Sequence, residues 1–359
     1  MKTDKKNHRH EMVAFLRHLL LAAVPVAVLL VAYIVMDPFK VIWLYDNYYP
    51  SQSSGNIALN PGFVATQTYR QHMEDQRYNA FIFGNSRSIY YPIEHWKETT
   101  QHDDMRAFHF DAASESLLGL WLKVRYIDQH GGQLKYALIV ADASLLSKDD
   151  CDHWHLCETP PALCGYRNVL DFEWQNFRAF LNPEYMLALA DYSLFHTLRP
   201  YMLRKHLLSE DLFTYDVKSN ECDFAPMEKL IEEGSYYTPE RIAVFDGAQH
   251  PDSVSPPVIG PSQQILLDSI ATVFKRQHTQ CDIIISPLYD QIRLNPADRS
   301  VLQKCFGETR VHDFSGPNAW NADWHNYFET SHYRTHVAVE VMKKMVFETN
   351  NNEFGKTLE

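Results

Sequence analysis

A serine that follows a glycine at the end of an apolar run is the first candidate for chemistry in this 359-residue chain. Residues 79–84 form a short apolar segment that ends at Gly84, and Ser86 comes two residues later. Glycine permits a sharp turn, and a serine that begins a following helix exposes its hydroxyl where nearby N–H groups can receive an oxyanion. Ser86 is therefore a candidate nucleophile. Because serine is also a common helix N-cap, capping is the alternative role.

A carboxylate and a histidine near the other end of the chain supply the partners that such a serine needs. Glu329 stands three residues before His332, after the last predicted strand and before the last predicted helix. A carboxylate can hold an imidazole in one tautomer and leave its other nitrogen to accept the serine proton. The sequence thus predicts a triad of Ser86, His332 and Glu329, if the fold brings these two regions together.

The elements between these residues predict an α/β fold that places them at one edge of a sheet. Strands are predicted at residues 79–84, 106–111, 136–142, 282–286 and 310–314, and helices at residues 117–129, 183–198, 262–277, 296–306 and 335–347. Apolar strands separated by helices are typical of a mostly parallel sheet with helices on both faces. Ligands of such sheets bind beyond the carboxyl ends of the strands, where Ser86 and His332 would lie.

The remaining segments divide the chain further. Residues 147–255 contain helical patches and many aromatic residues but no series of strands, and we interpret them as a helical or irregular cap inserted into the domain. The α/β domain itself is predicted to span residues 79–347. Residues 37–78 are predicted to be an irregular stalk, and residues 348–359 a frayed tail.

The first 36 residues predict a membrane anchor. Residues 1–18 form a basic cytoplasmic tip, of which the first 17 residues carry a net charge of +3. Residues 19–36 lack charged side chains and can cross a hydrocarbon core of about 30 Å when slightly tilted. Positive charge before this run favours a cytoplasmic N-terminus and a periplasmic main domain anchored in the inner membrane. The alternatives are a cleaved signal peptide, for which residues 33–38 are a poor cleavage site, and a buried soluble helix.

These motifs resemble those of the SGNH (GDSL-like) hydrolase superfamily. Residues 84–88 resemble its nucleophile block, residues 329–332 resemble its terminal Asp-x-x-His block, and the likeness covers about residues 79–146 and 262–347. The chain is most similar to membrane-anchored members that modify envelope polymers: teichoic-acid D-alanyl transfer proteins and alginate-type O-acetylation proteins. The resemblance implies a three-layer α/β/α sandwich with a flavodoxin-like sheet. It also implies that Ser86 is the nucleophile, His332 the base and Glu329 the orienting acid.

The chain departs from the family pattern at several positions. Asn85 and Glu329 stand where many members have aspartate, and Asp111 stands where an asparagine often follows the second strand. The Gly-x-Asn-Asp block is missing, and residues 285–289 occupy its place. An anionic Asp111 would repel a developing oxyanion, so backbone groups are better candidates for oxyanion donors than this side chain.

The residues around Ser86 carry the remaining site predictions. The predicted oxyanion donors are the backbone N–H groups of Ser86, Ala113 and Ser114. Arg87 and Asn85 are the predicted substrate-binding side chains, because a guanidinium beside the nucleophile can bind a carboxylate or phosphate of a polymer. Pairing of Arg87 with a structural carboxylate is an equally good interpretation.

A run of alternating cysteines and histidines offers a rival site. Residues 151–157 place Cys, His, His and Cys at every second position, and these side chains bind zinc. On an extended segment they would spread over roughly 20 Å, too far for one ion, so neither a metal nor a cofactor is predicted. For an exported domain, a disulfide among Cys151, Cys157 and Cys164 is the favoured interpretation, with unbridged thiols as the alternative.

Two functions follow from these features. The first is a serine esterase or O-acyltransferase that acts on a cell-envelope polysaccharide or glycolipid. The second is a catalytically weak or inactive binding or assembly subunit of an envelope polysaccharide modification complex. Both involve the membrane through residues 19–36, and both allow a multi-pass membrane acyltransferase as partner. The net charge of −12 gives no indication of a nucleic-acid partner.

Overall fold

The computed structural model describes residues 2–49, 56–151, 154–165, 169–204, 207–209 and 212–356. Its α-helices are α1 (Lys2–Met36), α2 (Pro61–Gln76), α3 (Ile93–Thr100), α4 (Leu117–Gln129), α5 (Ala143–Ser147), α6 (Val169–Phe180), α7 (Pro183–Phe195), α8 (Pro200–Arg204), α9 (Ala225–Glu232), α10 (Pro239–Ala243), α11 (Pro261–Gln277), α12 (Pro296–Phe306) and α13 (Thr335–Lys356). Its strands are β1 (Asn56–Ile57), β2 (Ala80–Gly84), β3 (Ala107–His109), β4 (Tyr136–Ala141), β5 (Leu208–Ser209), β6 (Thr214–Tyr215), β7 (Cys222–Asp223), β8 (Gln280–Ile285), β9 (Val311–Asp313), β10 (Tyr327–Glu329) and β11 (His332–Tyr333). Short 3-10 helices span Ser88–Tyr90, Glu308–Arg310 and Trp324–Asn326.

Five strands form a parallel central sheet in the order β3-β2-β4-β8-β9. Every residue of β2 and β4 is buried, which is why these strands read as continuous apolar runs rather than as alternating patterns. All five strands overlap the predicted segments, so the predicted α/β class and parallel sheet are confirmed. The pairs β1–β5, β6–β7 and β10–β11 are separate antiparallel ladders of two strands.

Alternate side chains of the central sheet belong to two different core clusters. Phe81 and Phe83 of β2 lie in a cluster to which α2, α4, α11 and α12 also contribute buried apolar residues. Ala80 and Ile82 lie in a second cluster that includes buried residues of α3 and α13. This alternation follows from the pleat of a strand, in which successive side chains point to opposite faces.

A third cluster joins the end of α1 to the inserted cap. Tyr33, in the last turn of α1, packs against Phe177 and Phe180 of α6 with ring centroids 5.4 Å and 5.6 Å apart. The part of α1 from Met12 to Met36 is long and apolar enough to cross a membrane. The cap contains α6 to α10 and the short strands β5 to β7, in agreement with the prediction of a helical or irregular insertion.

Two predicted segments differ in the structure. The predicted stalk contains α2, whose start is specified by Asn60, which accepts a hydrogen bond from the N–H of Phe63 at 3.0 Å, and by Pro61 in the first turn. Tyr69 of α2 stacks on Phe110 at 5.2 Å, so this segment belongs to the core. The predicted tail is helical as far as residue 356, because residues 348–354 contain neither glycine nor proline to end α13.

Candidate active site

The turn after β2 positions Ser86 at the carboxyl edge of the sheet. Gly84 has a φ of +155°, and a Cβ at this position would lie 2.5 Å from the carbonyl oxygen of Val140. Only glycine fits so close an approach in this conformation. The 3-10 helix that follows begins at Ser88 after Arg87, and it has no side-chain cap hydrogen bond. The capping alternative for Ser86 is therefore wrong, and its hydroxyl has a different partner.

A hairpin positions the histidine and the carboxylate. Thr330 and Ser331 form the turn between β10 and β11, and Glu329 pairs with His332 across this ladder. Glu329 Oε1 is hydrogen-bonded to His332 Nδ1. Its other oxygen, Oε2, accepts a hydrogen bond from the backbone N–H of Ser331 at 2.9 Å. One tight turn thus sets both the position of the carboxylate and the orientation of the imidazole.

The other ring nitrogen of His332 completes a chain of hydrogen bonds. His332 Nε2 lies 2.6 Å from Ser86 Oγ, although 246 residues separate the two in sequence. Because the carboxylate of Glu329 accepts the proton of Nδ1, Nε2 is left to accept the proton of the serine hydroxyl. The structure therefore brings together Ser86, His332 and Glu329 in the geometry that nucleophilic catalysis by serine requires.

Glu329 is held in its charged form. Burial by itself raises the pKa of this carboxyl, but the hydrogen bond and charge of His332, the N–H of Ser331 and the positive charge of Arg87 lower it further. The net effect is a pKa below the usual value of glutamate. An ionised carboxylate on Nδ1 both orients the imidazole and stabilises the imidazolium that forms during catalysis.

Asp142 binds the two side chains that were predicted to bind substrate. Its Oδ2 accepts hydrogen bonds from Asn85 Nδ2 at 2.6 Å and from Arg87 Nη1 at 2.8 Å. Asn85 is 3% exposed, which leaves it no surface for substrate, so its predicted role is wrong and its amide instead holds the nucleophile turn. The structural alternative for Arg87 is realised as well: its Nε donates to the carbonyl oxygen of Ser331 at 3.1 Å, which joins the nucleophile turn to the hairpin. Arg87 and Asp142 also line a cavity of about 320 Å³.

The charge of Asp111 has a buried partner. Asp111 Oδ2 lies 3.1 Å from His109 Nδ1 and accepts a hydrogen bond from Ser88 Oγ at 3.3 Å. His109 Nε2 lies 3.0 Å from the carbonyl oxygen of Tyr91, which can only accept, so this nitrogen carries a proton. Burial alone would lower the pKa of His109, but the hydrogen bond and charge of Asp111 raise it above the usual value. The cationic ring offsets the carboxylate, so Asp111 repels an oxyanion less than the sequence suggests.

A small cavity of about 150 Å³ lies beside the nucleophile, with Ser86, Ala112 and Ala113 in its lining. Within the described part of the chain, the N–H groups of Ser86, Ala113 and Ser114 are not bonded to other backbone groups. Ser86 and Ala113 therefore offer donors at the cavity, as the sequence predicts for an oxyanion site. Ser114 does not line this cavity, and it occupies a left-handed turn conformation with a φ of 51°.

The other walls of this cavity come from the cap and from the segment before the sheet. They are mostly apolar or aromatic: Tyr49, Pro61, Val64, Ile89, Phe213, Tyr215, Cys222 and Phe224. The cap is attached to the hairpin as well, because Tyr237 donates a hydrogen bond to the carbonyl oxygen of Tyr327 at 2.6 Å. The cap thus shapes the space in front of Ser86.

Comparisons of the chain with protein-family models, with curated proteins and with solved structures gave no match. The candidate site is therefore defined by its residues and their geometry alone.

Three residues of the site were missed from the sequence. Asp142 directly follows β4, and a polar residue at the carboxyl end of a strand is a signal that could have found it. His109, the last residue of β3, carries a weaker form of the same signal. Tyr90, whose buried ring packs against the imidazole of His332 with centroids 5.8 Å apart, has no such signal because it follows a short 3-10 turn.

The cysteine-rich segment differs from the favoured interpretation. All six cysteines of the chain lie within the described residues, and none of them forms a disulfide. Cys151 Sγ instead accepts a hydrogen bond from Thr159 Oγ1 at 2.8 Å, and burial raises the pKa of its thiol to about 11. The thiolate that disulfide formation requires is therefore disfavoured. His153 lies outside the described residues, and no group of three or more metal-ligating side chains occurs inside them.

Proposed function

We propose that the protein is a membrane-anchored serine esterase or acyltransferase of the SGNH type that acts on a cell-envelope polysaccharide or glycolipid. The observation that carries this proposal is the hydrogen-bond chain from Ser86 Oγ through His332 to Glu329. In the same proposal, the parallel sheet and its helices form a three-layer, flavodoxin-like sandwich in the periplasm. The N-terminus is cytoplasmic, and α1 keeps the site close to membrane-borne substrates.

The first half-reaction is acylation of the serine. Ser86 Oγ attacks the carbonyl carbon of the substrate ester while its proton moves to His332 Nε2. The N–H groups of Ser86 and Ala113 stabilise the negative charge that develops on the carbonyl oxygen. As the tetrahedral intermediate collapses, the imidazolium gives its proton to the leaving alcohol oxygen. The products of this step are a free alcohol and an acyl ester on Ser86.

The second half-reaction transfers the acyl group. A water molecule or a sugar hydroxyl attacks the acyl carbonyl carbon, and its proton moves to His332 Nε2. Collapse of the second intermediate returns that proton to Ser86 Oγ and releases a carboxylic acid or a new sugar ester. Because the two acceptors differ only in what occupies the site, the same residues support both hydrolysis and transfer.

The cavity beside Ser86 suits the acyl part of the substrate. Its volume of about 150 Å³ is well below the roughly 300–1,000 Å³ of pockets for drug-sized ligands. Its walls are mainly apolar, and the open N–H groups lie at the end that Ser86 occupies. A short acyl chain fits these features better than a fatty acyl chain. A multi-pass membrane acyltransferase is the proposed source of such groups if the protein works as a transferase.

Labelling with a fluorophosphonate tests the proposal, because this reagent reacts with activated serines. We expect wild-type protein to be labelled and the Ser86→Ala variant to remain unlabelled. Ser331→Ala is a matched control, since it removes a hydroxyl from the hairpin turn but leaves the backbone N–H on Glu329 in place. Labelling that persists in Ser86→Ala, or that is absent from folded wild-type protein, would contradict the assignment.

A non-enzymatic role as a binding or assembly subunit is the second candidate. The observation that favours it is Asp111, a carboxylate in the lining of the cavity where an oxyanion would form. This role predicts folded wild-type protein that binds an envelope polysaccharide but shows neither labelling nor ester turnover. Polysaccharide binding that Ser86→Ala leaves unchanged, measured beside the labelling experiment, separates the two functions.

A further inference from the structure

Helix α7 has an unusual distribution of apolar side chains for a helix at the surface of a domain. Only Tyr185 and Ala188 of this helix are buried. Leu187, Leu194 and Phe195 are 61%, 74% and 62% exposed. A helix that is apolar around its whole circumference is normally covered, either by protein or by lipid.

Helix α6 extends this apolar surface. Leu170 and Trp174 are one helical turn apart, and their side chains are 87% and 55% exposed. The opposite side of α6 is buried through Phe172, Phe177 and Phe180. The exposed side is therefore a second apolar face and not the frayed end of a loosely packed helix. We call the exposed side chains Leu170, Trp174, Leu187, Leu194 and Phe195 the cap face.

The cap face is connected to the end of the apolar helix α1. The ring of Trp174 lies 6.2 Å from that of Phe177, which packs on Tyr33 at 5.4 Å, so α6 sits against the last turn of α1. Two more apolar side chains follow α1 directly, Trp43 and Leu44, with exposures of 55% and 71%. Trp43 Nε1 donates a hydrogen bond to the carbonyl oxygen of Ile34 at 3.0 Å, which holds its ring beside the helix end.

The connection between α1 and the cap is rigid. Asp37, which is 2% exposed, accepts hydrogen bonds from the N–H groups of Val41 and Trp43 at 2.9 Å and 3.0 Å. The hydroxyl of Tyr45 donates to the same carboxylate at 3.1 Å. The chain therefore leaves α1 through a tightly bonded loop and not through a flexible linker. The height of the cap relative to the end of α1 is fixed by these contacts.

We propose that the cap face rests in the interface of the same lipid bilayer that α1 crosses. Continuity decides the occupant: the cap face and Trp43 continue the lipid-exposed surface of α1 beyond its last turn. Tryptophan is enriched at membrane interfaces, where its ring lies at the level of the headgroups. A helix that lies in the interface buries its apolar side about 5–10 Å into the boundary between headgroups and acyl chains. This inference rests on the anchoring role proposed for α1, and it is independent of the Ser86 chemistry.

Quenching of Trp174 fluorescence by lipids tests the inference on the full chain. The protein is reconstituted into vesicles of phosphatidylethanolamine and phosphatidylglycerol, with or without bromine on the upper part of the acyl chains. The chain has seven tryptophans, so the emission of Trp174 is obtained as the difference between wild type and Trp174→Phe. We expect brominated lipid to remove about half of this emission or more, because a ring at interface depth contacts the quencher.

Charged substitutions provide a matched pair. Leu187→Glu with Leu194→Glu places two carboxylates on the cap face, and we expect quenching of Trp174 to fall by about half or more, since charge resists entry into the interface. Ile265→Glu is the control, because Ile265 is 65% exposed on α11 outside the cap. This control is expected to leave quenching unchanged.

Flotation of the vesicles after an alkaline wash separates failure of the anchor from failure of the cap face. Protein that floats but shows no quenching of Trp174 overturns the inference while the anchor stands. Cross-linking of the cap face to a second copy or to another protein in such a sample would identify protein as its cover instead. Protein that is stripped by the wash overturns the anchor and this inference together. Fluorophosphonate labelling of Ser86 is unaffected by any of these outcomes.

Discussion

Two pairs of histidine and carboxylate lie near the same edge of the sheet, and only one of them faces a nucleophile. In the hairpin, His332 has Glu329 on Nδ1 and Ser86 Oγ on Nε2. At the end of β3, His109 has Asp111 on Nδ1 and the carbonyl oxygen of Tyr91 on Nε2. The side chain of His332 is 26% exposed, whereas that of His109 is 1% exposed. The two pairs share their chemistry and differ in the group that faces the second nitrogen.

That difference separates a base from a structural cation. A serine hydroxyl can give its proton to Nε2, so the imidazole of His332 can cycle between neutral and charged forms. A carbonyl oxygen only accepts, so His109 must keep a proton on Nε2 and gains a second one through Asp111. A carboxylate three or two residues from a histidine therefore does not by itself mark a catalytic base. The partner of the second nitrogen decides its role.

The largest expected effect is the loss of the base. We expect His332→Ala to slow fluorophosphonate labelling and ester turnover on the order of 10⁵-fold, because Ser86 loses its proton acceptor. The stability of the fold should change by about 1 kcal/mol or less, since the ring is partly exposed and makes few core contacts. Labelling kinetics and urea unfolding on the same detergent-solubilised samples check both statements. A variant that reacts at the wild-type rate would remove His332 from the mechanism.

The next effect concerns the carboxylate of the hairpin. Glu329→Gln retains the shape but not the charge, and we expect a rate loss on the order of 10⁴-fold, because the ring is no longer held in the required tautomer. Glu329→Asp is the matched variant that retains the charge. If activity of Glu329→Gln equals that of Glu329→Asp, the carboxylate has no electrostatic role.

The buried pair should respond in stability rather than in chemistry. His109→Ala leaves Asp111 charged and unpaired in the interior, and we expect a loss of about 3 kcal/mol in the free energy of unfolding. Urea unfolding followed by fluorescence measures this loss. In the double variant His109→Ala with Asp111→Ala, part of the stability should return, because no uncompensated charge is left. A single variant as stable as wild type would show that the pair is not ionised.

The smallest expected effect is a difference in pH dependence between the two pairs. The pKa of His109 is raised, so its contribution to stability is complete below the unfolded value of 6.5 and is lost as the pH rises through the folded pKa. The pKa of Glu329 is lowered, so its contribution is complete above the unfolded value of 4.5 and is lost as the pH falls through the folded pKa.

Unfolding curves of wild type and His109→Ala across this range provide the measurement. The stability gap between them should narrow as the pH rises above 6.5, the pH at which free histidine titrates. The gap between wild type and Glu329→Gln should instead narrow as the pH falls below 4.5. Gaps that vary in the opposite direction would mean that the charge states of the two pairs are reversed.

Much of the sheet domain was predictable from sequence because its strands are buried on both faces. Residues of β4 and β8 are apolar almost throughout, so the strands are recognisable as short runs between helices. The places of Ser86 and His332 followed from one rule, that groups after parallel strands collect at one edge. Local sequence and sheet topology therefore determined the position of the site.

The remaining features depend on contacts that local patterns do not encode. Asp142 binds Arg87 and Asn85 only because β2 and β4 are neighbours in the sheet, which the chain order does not reveal. The helix α2 was missed even though Asn60 and Pro61 form a standard helix start. The cap walls of the cavity, such as Phe213 and Phe224, come from an irregular segment whose placement is set by aromatic packing.

The long separation between Ser86 and His332 also imposes an order of events on biosynthesis. Ribosomes make the chain from its N-terminus, so the serine is synthesised 246 residues before its base. During export, the unfinished chain carries a hydroxyl of ordinary reactivity, because the β10–β11 hairpin has not yet been made. On the proposed mechanism, the protein becomes reactive only when that hairpin folds onto a completed sheet. Late synthesis of the hairpin thus protects the cell from a prematurely active serine, with no need for a removable inhibitory segment.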